Sequence, residues 1–232
     1  MSLGLLGKKL GMTQIFDKDG KITGVTVIEA GPCYVVKNMT EEENGYRAAQ
    51  IGYKPVKESK LNKPLLGHLK KNGVQPLKHL HEFTLNKDET AEVGSQLKID
   101  TLFKSGDFVD ITGKSRGKGF AGVVKLYHFK GGKETRGSNF HRAPGSIGAN
   151  TFPGRVWKGK KLPKHMGNVK VTSIGLYIVQ VDLEHNLLMV KGSVSGAPGG
   201  LVVIKKSTRD KKVKLTQKNI EEKKGKKPST KK

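Results

Sequence analysis

Lysine and arginine side chains are interspersed with aromatic rings along residues 112–170, which we call the basic segment. The segment has fourteen Lys or Arg residues and a single acid, Glu134, so it contributes +13 of the +24 net charge of the chain. Ammonium and guanidinium groups bind phosphates, and aromatic rings stack on unpaired bases for about 1–3 kcal/mol per base. This combination predicts a surface that binds a nucleic acid.

The candidate contact residues are thirteen cations and rings of this segment. They are Lys114, Arg116, Lys118, Arg136, His141, Arg142, Arg155, Trp157, Lys158, Lys160, Lys161, Lys164 and His165. Irregular RNA offers unstacked bases far more often than duplex DNA does, so the rings favour RNA. For Tyr127, Phe129 and Trp157, packing within the segment is the alternative interpretation.

Twelve glycines in the basic segment let its backbone approach another surface closely. Few of its residues are apolar, so it has little area whose burial would offset its own ordering entropy. We therefore expect a long irregular extension that is ordered by contacts with its partner.

Catalytic chemistry is not indicated. General acid–base catalysis usually needs placed acids, His or Lys residues, and the segment has one carboxylate. Residues 117–122 match G-x-G-x-x-G, but a dinucleotide site also needs a βαβ unit and a later acid that this sequence does not offer. His79, His81 and the other histidines lack zinc-ligand spacing and are interpreted as surface or packing residues. We expect no enzyme activity, no cofactor and no metal.

The rest of the chain positions this segment. Short β-branched strands with turns about every ten residues favour a barrel or a sandwich. Leucines at helical spacing after Asn62 predict a small α+β insertion at about 60–100. Strand patterns occur on both sides of the basic segment, which predicts a body of residues 1–111 plus 171–206, interrupted by residues 112–170. The lysine-rich tail, 207–232, has few apolar residues and should be flexible.

Cysteine usage and hydropathy bear on the compartment. The chain has one cysteine, Cys33, within a strand-like run, which excludes a disulfide framework and favours a reducing compartment. The N-terminal residues lack the apolar core of a secretion signal, and no apolar run is long enough to span a membrane. We expect a cytoplasmic protein.

Several ordered motifs carry a family resemblance. They are residues 117–122, 141–148, 153–156, 158–161, 165–168 and the opening stretch 6–14. Together they resemble the L-three family of large-subunit ribosomal proteins in its bacterial form, over about residues 1–206.

The resemblance implies a six-stranded translation-protein-type β-barrel and a structural role in the large ribosomal subunit. It also implies that the extension reaches through large-subunit rRNA toward the peptidyl-transferase centre, and that the protein binds rRNA near its 3′ end early in assembly. The fourteenth and nineteenth large-subunit proteins would be neighbours, with no membrane contact and no homo-oligomer. The implied tip comprises Gly145, Ser146, Ile147, Gly148, Ala149, Asn150, Thr151 and Pro153. Ala149 stands where some relatives have a methylated glutamine, so that modification is not expected.

An architectural DNA-binding protein is the alternative function, because the same charges would neutralise duplex phosphates. Such proteins use two-fold dimers or groove-reading elements. The sequence shows no recognition-helix pattern and no zipper heptads, so RNA is favoured.

Overall fold

A computed structural model describes residues 3–16, 20–86 and 91–208. It divides the chain into two compact units. One, which we call the body, comprises Met1–Lys114 and Lys170–Lys232, and the other, the basic unit, comprises Ser115–Val169. The described structure is mainly β, which confirms the predicted class. The predicted flexible tail, apart from its first two residues, lies outside the described residues.

The described part of the body contains ten strands and three short α-helices. Its strands are β1 (Leu5–Phe16), β2 (Ile22–Ala30), β3 (Cys33–Met39), β4 (Ala48–Pro55), β5 (Leu77–Thr84), β6 (Gln96–Leu97), β7 (Phe108–Lys114), β10 (Lys170–Asp182), β11 (Leu187–Lys191) and β12 (Leu201–Lys206). Its helices are α1 (Glu41–Asn44), α2 (Lys63–Lys71) and α3 (Ile99–Leu102), with a 3₁₀ turn at Glu58–Lys60. The basic unit contains β8 (Phe120–Ala121), α4 (Val123–Tyr127) and β9 (Lys164–His165).

Six body strands form a closed barrel in the order β1-β12-β7-β10-β11-β2, and every pair is antiparallel. The strands are rich in β-branched residues, which pack well on a pleated surface. Alternate side chains point inward, since successive residues of a strand face opposite sides. The fully buried residues of these strands include Leu5, Ile28, Ile111, Ile178, Leu188, Val190 and Ile204.

A second sheet has the order β5-β4-β3-β6. It begins at Cys33 and includes β5 and β6, which lie within the predicted α+β insertion at about 60–100. The sequence alone did not assign β3 and β4 to this sheet, because strand alternation is a local property and does not reveal which sheet a strand joins. Ile51 and Phe83 of this sheet pack in one hydrophobic cluster with Leu5 and Ile204 of the barrel, so the two sheets share a core.

Helix α2 confirms the helix predicted from the leucine spacing. Asn62 is its N-cap residue, and a proline occupies the first turn, where a missing N–H costs nothing. Leu69 is fully buried and clusters with Val36, Val74 and Leu77. The helix thus covers one part of the second sheet. Within the described ranges, no helix is both long and apolar enough to cross a membrane.

Cys33 lies at the start of β3 as a buried free thiol. Its Sγ donates a hydrogen bond to the carbonyl oxygen of Leu6, with a separation of 3.4 Å. Burial raises the pKa of the thiol to about 12. Because the thiolate is the reactive form, this cysteine is a packing residue of the body.

Candidate nucleic-acid interface

The two ends of the basic unit run antiparallel and are joined by backbone hydrogen bonds. The Ser115 N–H donates to the Val169 carbonyl at 2.8 Å, and the Lys118 N–H donates to the Met166 carbonyl at 2.9 Å. β8 then pairs with β9, with Phe120 opposite His165. This ladder brings cations from both ends of the segment, which are some fifty residues apart in the sequence, onto one narrow ribbon.

Gly167 allows the two limbs of the ladder to approach closely. It has φ of +75°, and a Cβ atom at this position would collide with the carbonyl oxygen of Arg116. Only glycine satisfies both conditions. Ala121 and Val123 are the buried apolar residues of the basic unit, so its apolar core is very small.

Tyr127 lies at the end of α4 and is in contact with other side chains of the unit. Its ring centroid is 6.1 Å from that of Phe129, and the Lys161 and Lys164 ammonium groups lie 5.6 and 5.9 Å from it. Cations over a ring face are attracted by its quadrupole. Tyr127 and Phe129 therefore follow the packing interpretation, while the two lysines are positioned by the tyrosine.

A tight loop brings His141 back onto the glycine pair at 131–132. The Gly132 N–H donates to the His141 carbonyl at 3.0 Å, and the His141 Nδ1 donates to the Lys133 carbonyl at 3.0 Å. This bond places the proton on Nδ1, so Nε2 of the neutral ring is an acceptor. A Cβ on either glycine would collide with carbonyl oxygens of residues 140–141, so the loop depends on both glycines.

The predicted tip, residues 145–153, is exposed along nearly its whole length. Gly145 has φ of +80°, and the Ser146 hydroxyl donates to the Gly148 carbonyl at 3.0 Å, which fixes a local turn. Phe152 has 85% of its surface exposed. Small side chains and one exposed ring leave the backbone open to another surface.

Trp157 and Arg155 form a cation–π pair next to the tip. The Arg155 guanidinium carbon lies 5.6 Å from the centre of the indole, and 59% of the Trp157 surface is exposed. An exposed indole with a cation over one face can stack on a base through its opposite face. This geometry agrees with the RNA interpretation of Trp157 as well as with packing inside the unit.

All thirteen predicted contact residues are exposed. Twelve lie in the basic unit, whereas Lys114 is the last residue of β7 and belongs to the body. The basic unit has twelve Lys or Arg residues and one Glu. Among the described residues, none of these cations forms an ion pair with a carboxylate. Their mutual repulsion is unrelieved within the unit, and an anionic partner would remove it.

Three further rings belong to the surface but are absent from the predicted contact set. Phe120, Phe140 and Phe152 have 77%, 39% and 85% of their surfaces exposed. The sequence signal was present, because aromatic residues in a segment without a core have nowhere to be buried. Across the described ranges, no cluster of His, Cys, Asp or Glu is suited to a metal ion.

Residues 7–185 match the family model described as ribosomal protein L3. The chain belongs to the ribosomal protein L3 family. It is 47% identical over 209 residues to the large ribosomal subunit protein uL3 of Brachyspira pilosicoli, an alignment that covers 90% of this chain and 95% of that protein. It is 48% and 49% identical to the uL3 proteins of Syntrophotalea carbinolica and Acetivibrio thermocellus, with 90% of this chain and 100% and 98% of theirs covered.

Membership in the L3 family confirms several predictions. Proteins of this family are structural and not enzymatic, so the predicted absence of enzyme activity is confirmed, as is the role in translation. The same relatives confirm the predicted location in the large subunit of the cytoplasmic ribosome. An L3 protein is associated with rRNA and with other ribosomal proteins.

Proposed function

We propose that this L3 protein binds large-subunit rRNA through the basic unit and thereby helps to nucleate early assembly of the subunit. The observation that carries the proposal is the set of exposed, unpaired cations on a unit with almost no core. Each phosphate contact would release condensed counterions, which gives affinity without any need for a preformed pocket. Exposed rings between the cations would add stacking on unpaired bases.

Residues 145–153 would extend toward the peptidyl-transferase centre. Apart from Ile147 and Phe152 their side chains are small, and Gly145 and Gly148 would let the backbone lie directly against RNA. Ala149 offers no amide for the methylation that some relatives carry. The tip would therefore act through shape and backbone contacts and not through a reactive group.

The body would place this unit on the subunit. We propose that the ring of six strands is a translation-protein-type barrel, and that the protein binds near the 3′ end of the rRNA. The fourteenth and nineteenth large-subunit proteins would be its neighbours. These statements are supported by the motifs in residues 6–14 and 141–168 that resemble the family.

The test compares two charge-removal variants of equal size. Arg155→Gln, Lys158→Gln and Lys160→Gln are combined in one protein, and Lys57→Gln, Lys60→Gln and Lys104→Gln, which are exposed body residues, are combined in the control. Binding to large-subunit rRNA is measured against salt concentration. If about ten phosphates are contacted, the wild-type slope of log K against log salt is about −7 to −9, and the first variant loses about 2–3 of it.

A wild-type slope shallower than about −3, or equal slopes for the two variants, would contradict the proposal. Competition between structured rRNA and duplex DNA decides the alternative, because preferential DNA binding would favour an architectural DNA-binding protein. Co-sedimentation with large subunits through moderate salt washes provides the check in the assembled particle.

A further inference from the structure

The body has a cavity whose lining residues all belong to the body and not to the basic unit. The cavity has a volume of about 490 Å³, and its lining includes His81 of β5, Thr112 of β7, Lys170 and Thr172 of β10, and Lys205 of β12. These residues come from four strands spread over the chain. The cavity is not explained by the function proposed for the basic unit.

Strand register explains why these side chains share one face of the barrel. Thr112 is the partner of both Val203 on β12 and Thr172 on β10. Side chains two residues apart on a strand point to the same side, so Lys170 and Lys205 lie on the face that Thr172 and Val203 define. The lysines thus flank a row of two threonine hydroxyls.

The cavity lining has three lysines, Lys170, Lys205 and Lys206, and one carboxylate, Asp110. Lys170 is the register partner of Lys114, and like charges directly opposite each other destabilise a strand pair. Lys205 is the register partner of Asp110, but the Asp110 Oδ1 accepts a hydrogen bond of 2.7 Å from the Gly175 N–H. Among the described residues, no ion pair joins Asp110 to Lys205.

Lys205 is held over the cavity by an aromatic ring. Its ammonium nitrogen lies 5.3 Å from the centre of the buried Phe83 ring. The ring attracts the ammonium group and so restricts its position, and within the described residues no carboxylate forms an ion pair with it. A charged donor whose position is already fixed loses less entropy when it binds a ligand.

The polar groups between the lysines can also donate hydrogen bonds. The Thr112 and Thr172 hydroxyl oxygens share a hydrogen bond of 2.9 Å, which uses one of their two protons and leaves the other available. The pKa of His81 is lowered by burial, then by Lys205 and Lys170, while Glu82 acts in the opposite direction. The cavity lining therefore combines a threonine hydroxyl proton with an excess of lysine over carboxylate groups.

We propose that this cavity is an anion site that binds a phosphate group of an RNA strand, with Lys170, Lys205 and the Thr112–Thr172 pair as donors. The choice of RNA as the source of the phosphate rests on the function proposed above. The anion chemistry does not, since it follows from the arrangement of the body residues.

The first test is a titration of the full-length protein with inorganic phosphate, followed by NMR of the His81 ring. The negative charge of a bound anion offsets the effect by which the two lysines lower the His81 pKa, so this pKa should rise as phosphate is added. Chloride at equal ionic strength is the reference, and His79 on the same strand is the internal control. A His81 pKa that moves no more than that of His79, or equally in chloride, would overturn the anion site.

The second test asks whether RNA supplies the phosphate. Lys170→Gln combined with Lys205→Gln should reduce the slope of log K against log salt by about 1–2, whereas Lys57→Gln combined with Lys60→Gln should not. Thr172→Val, which removes a hydroxyl donor and keeps the net charge, should reduce the phosphate-induced rise of the His81 pKa. Chemical denaturation of each variant establishes that it is folded.

The outcomes separate the two proposals. If the basic-unit variant loses RNA affinity while the cavity variant matches wild type, the RNA assignment of the cavity is overturned and the proposed function stands. If the full-length protein shows no salt-dependent RNA binding, the proposed function fails, and the phosphate titration still decides the anion site. A poly-glutamate peptide that displaces phosphate more strongly than RNA does would replace the RNA source with an acidic protein.

Discussion

Phe83 in the body and Phe152 in the basic unit have the same side chain in opposite surroundings. Phe83 is fully buried and belongs to the cluster that joins the two sheets, whereas Phe152 has 85% of its surface exposed. The same contrast holds for cations. Lys205 lies over the fully buried Phe83 ring, whereas Lys161 and Lys164 of the basic unit are exposed and lie over the partly exposed Tyr127 ring.

This difference indicates where the stability of each region comes from. The body has a contiguous apolar core, which is the main favourable term in folding. The basic unit has Ala121 and Val123 as its buried apolar residues and relies on backbone hydrogen bonds and on Gly167. Its order should therefore depend on RNA, whereas that of the body should not.

The largest effect is expected at Cys33. Because burial raises its pKa to about 12, alkylation of the folded body near neutral pH should be about a thousandfold slower than that of free cysteine. Mass spectrometry after iodoacetamide treatment measures the rate, with protein in concentrated urea as the reference. Labelling of the native protein at the free-cysteine rate would mean that the body lacks the core described here.

Removal of the two phenylalanine rings tests the comparison directly. Phe83→Ala should lower the free energy of unfolding of the body by about 3–5 kcal/mol, because it opens a cavity in the shared core. Phe152→Ala should change it by less than about 0.5 kcal/mol, as expected for an exposed site.

For RNA binding, Phe152→Ala should have the larger effect of the two substitutions. Phe152→Ala should weaken it by up to about 1–3 kcal/mol if the ring stacks on a base. Urea denaturation and an RNA titration of both variants measure the two quantities. Equal stability losses would remove the distinction between the regions.

Gly167→Ala tests whether the close approach of the two limbs stabilises the ladder of the basic unit. Both Gly167 and Gly159 have positive φ, of +75° and +79°, but the added Cβ meets the Arg116 carbonyl only at Gly167 and open space at Gly159. Each variant should pay about 1–2 kcal/mol for its backbone conformation. Gly167→Ala should in addition open the ladder.

Amide exchange at Lys118, whose N–H donates to Met166, is the measurement. Exchange should accelerate in Gly167→Ala and remain close to the wild-type rate in Gly159→Ala. Equal rates in the two variants would show that the close approach at Arg116 does not hold the limbs together.

The smallest expected effect is a pH dependence of body stability. The folded-state pKa of His81 is lowered by burial and by Lys205 and Lys170. The unfolded state therefore binds the proton more readily, and stability should fall as the pH drops below about 6.5. His81→Gln should flatten this decline in urea denaturation series. A decline of the same size in the variant would assign the effect to other groups.

Sequence patterns predicted the mainly β class, helix α2 and the family, because each depends on local spacing or ordered motifs. They did not place β3 and β4 in a separate sheet, since sheet membership depends on pairing between distant residues. The anion cavity could likewise not be predicted from any local sequence pattern. His81 and Lys205 are far apart in the sequence, and only the packing of β5 against the barrel brings them together.

The pairing of Lys114 with Lys170 has a consequence for how this family can vary. Register partners in an antiparallel ladder lie only about 4.5–5.5 Å apart, a gap that a two-residue hairpin turn spans. A two-residue turn could therefore connect Lys114 to Lys170 in place of the fifty-five residues of Ser115–Val169. This pairing sets no length for the segment that connects β7 to β10, so we expect that the segment can be shortened or lengthened while the ring of strands stays closed.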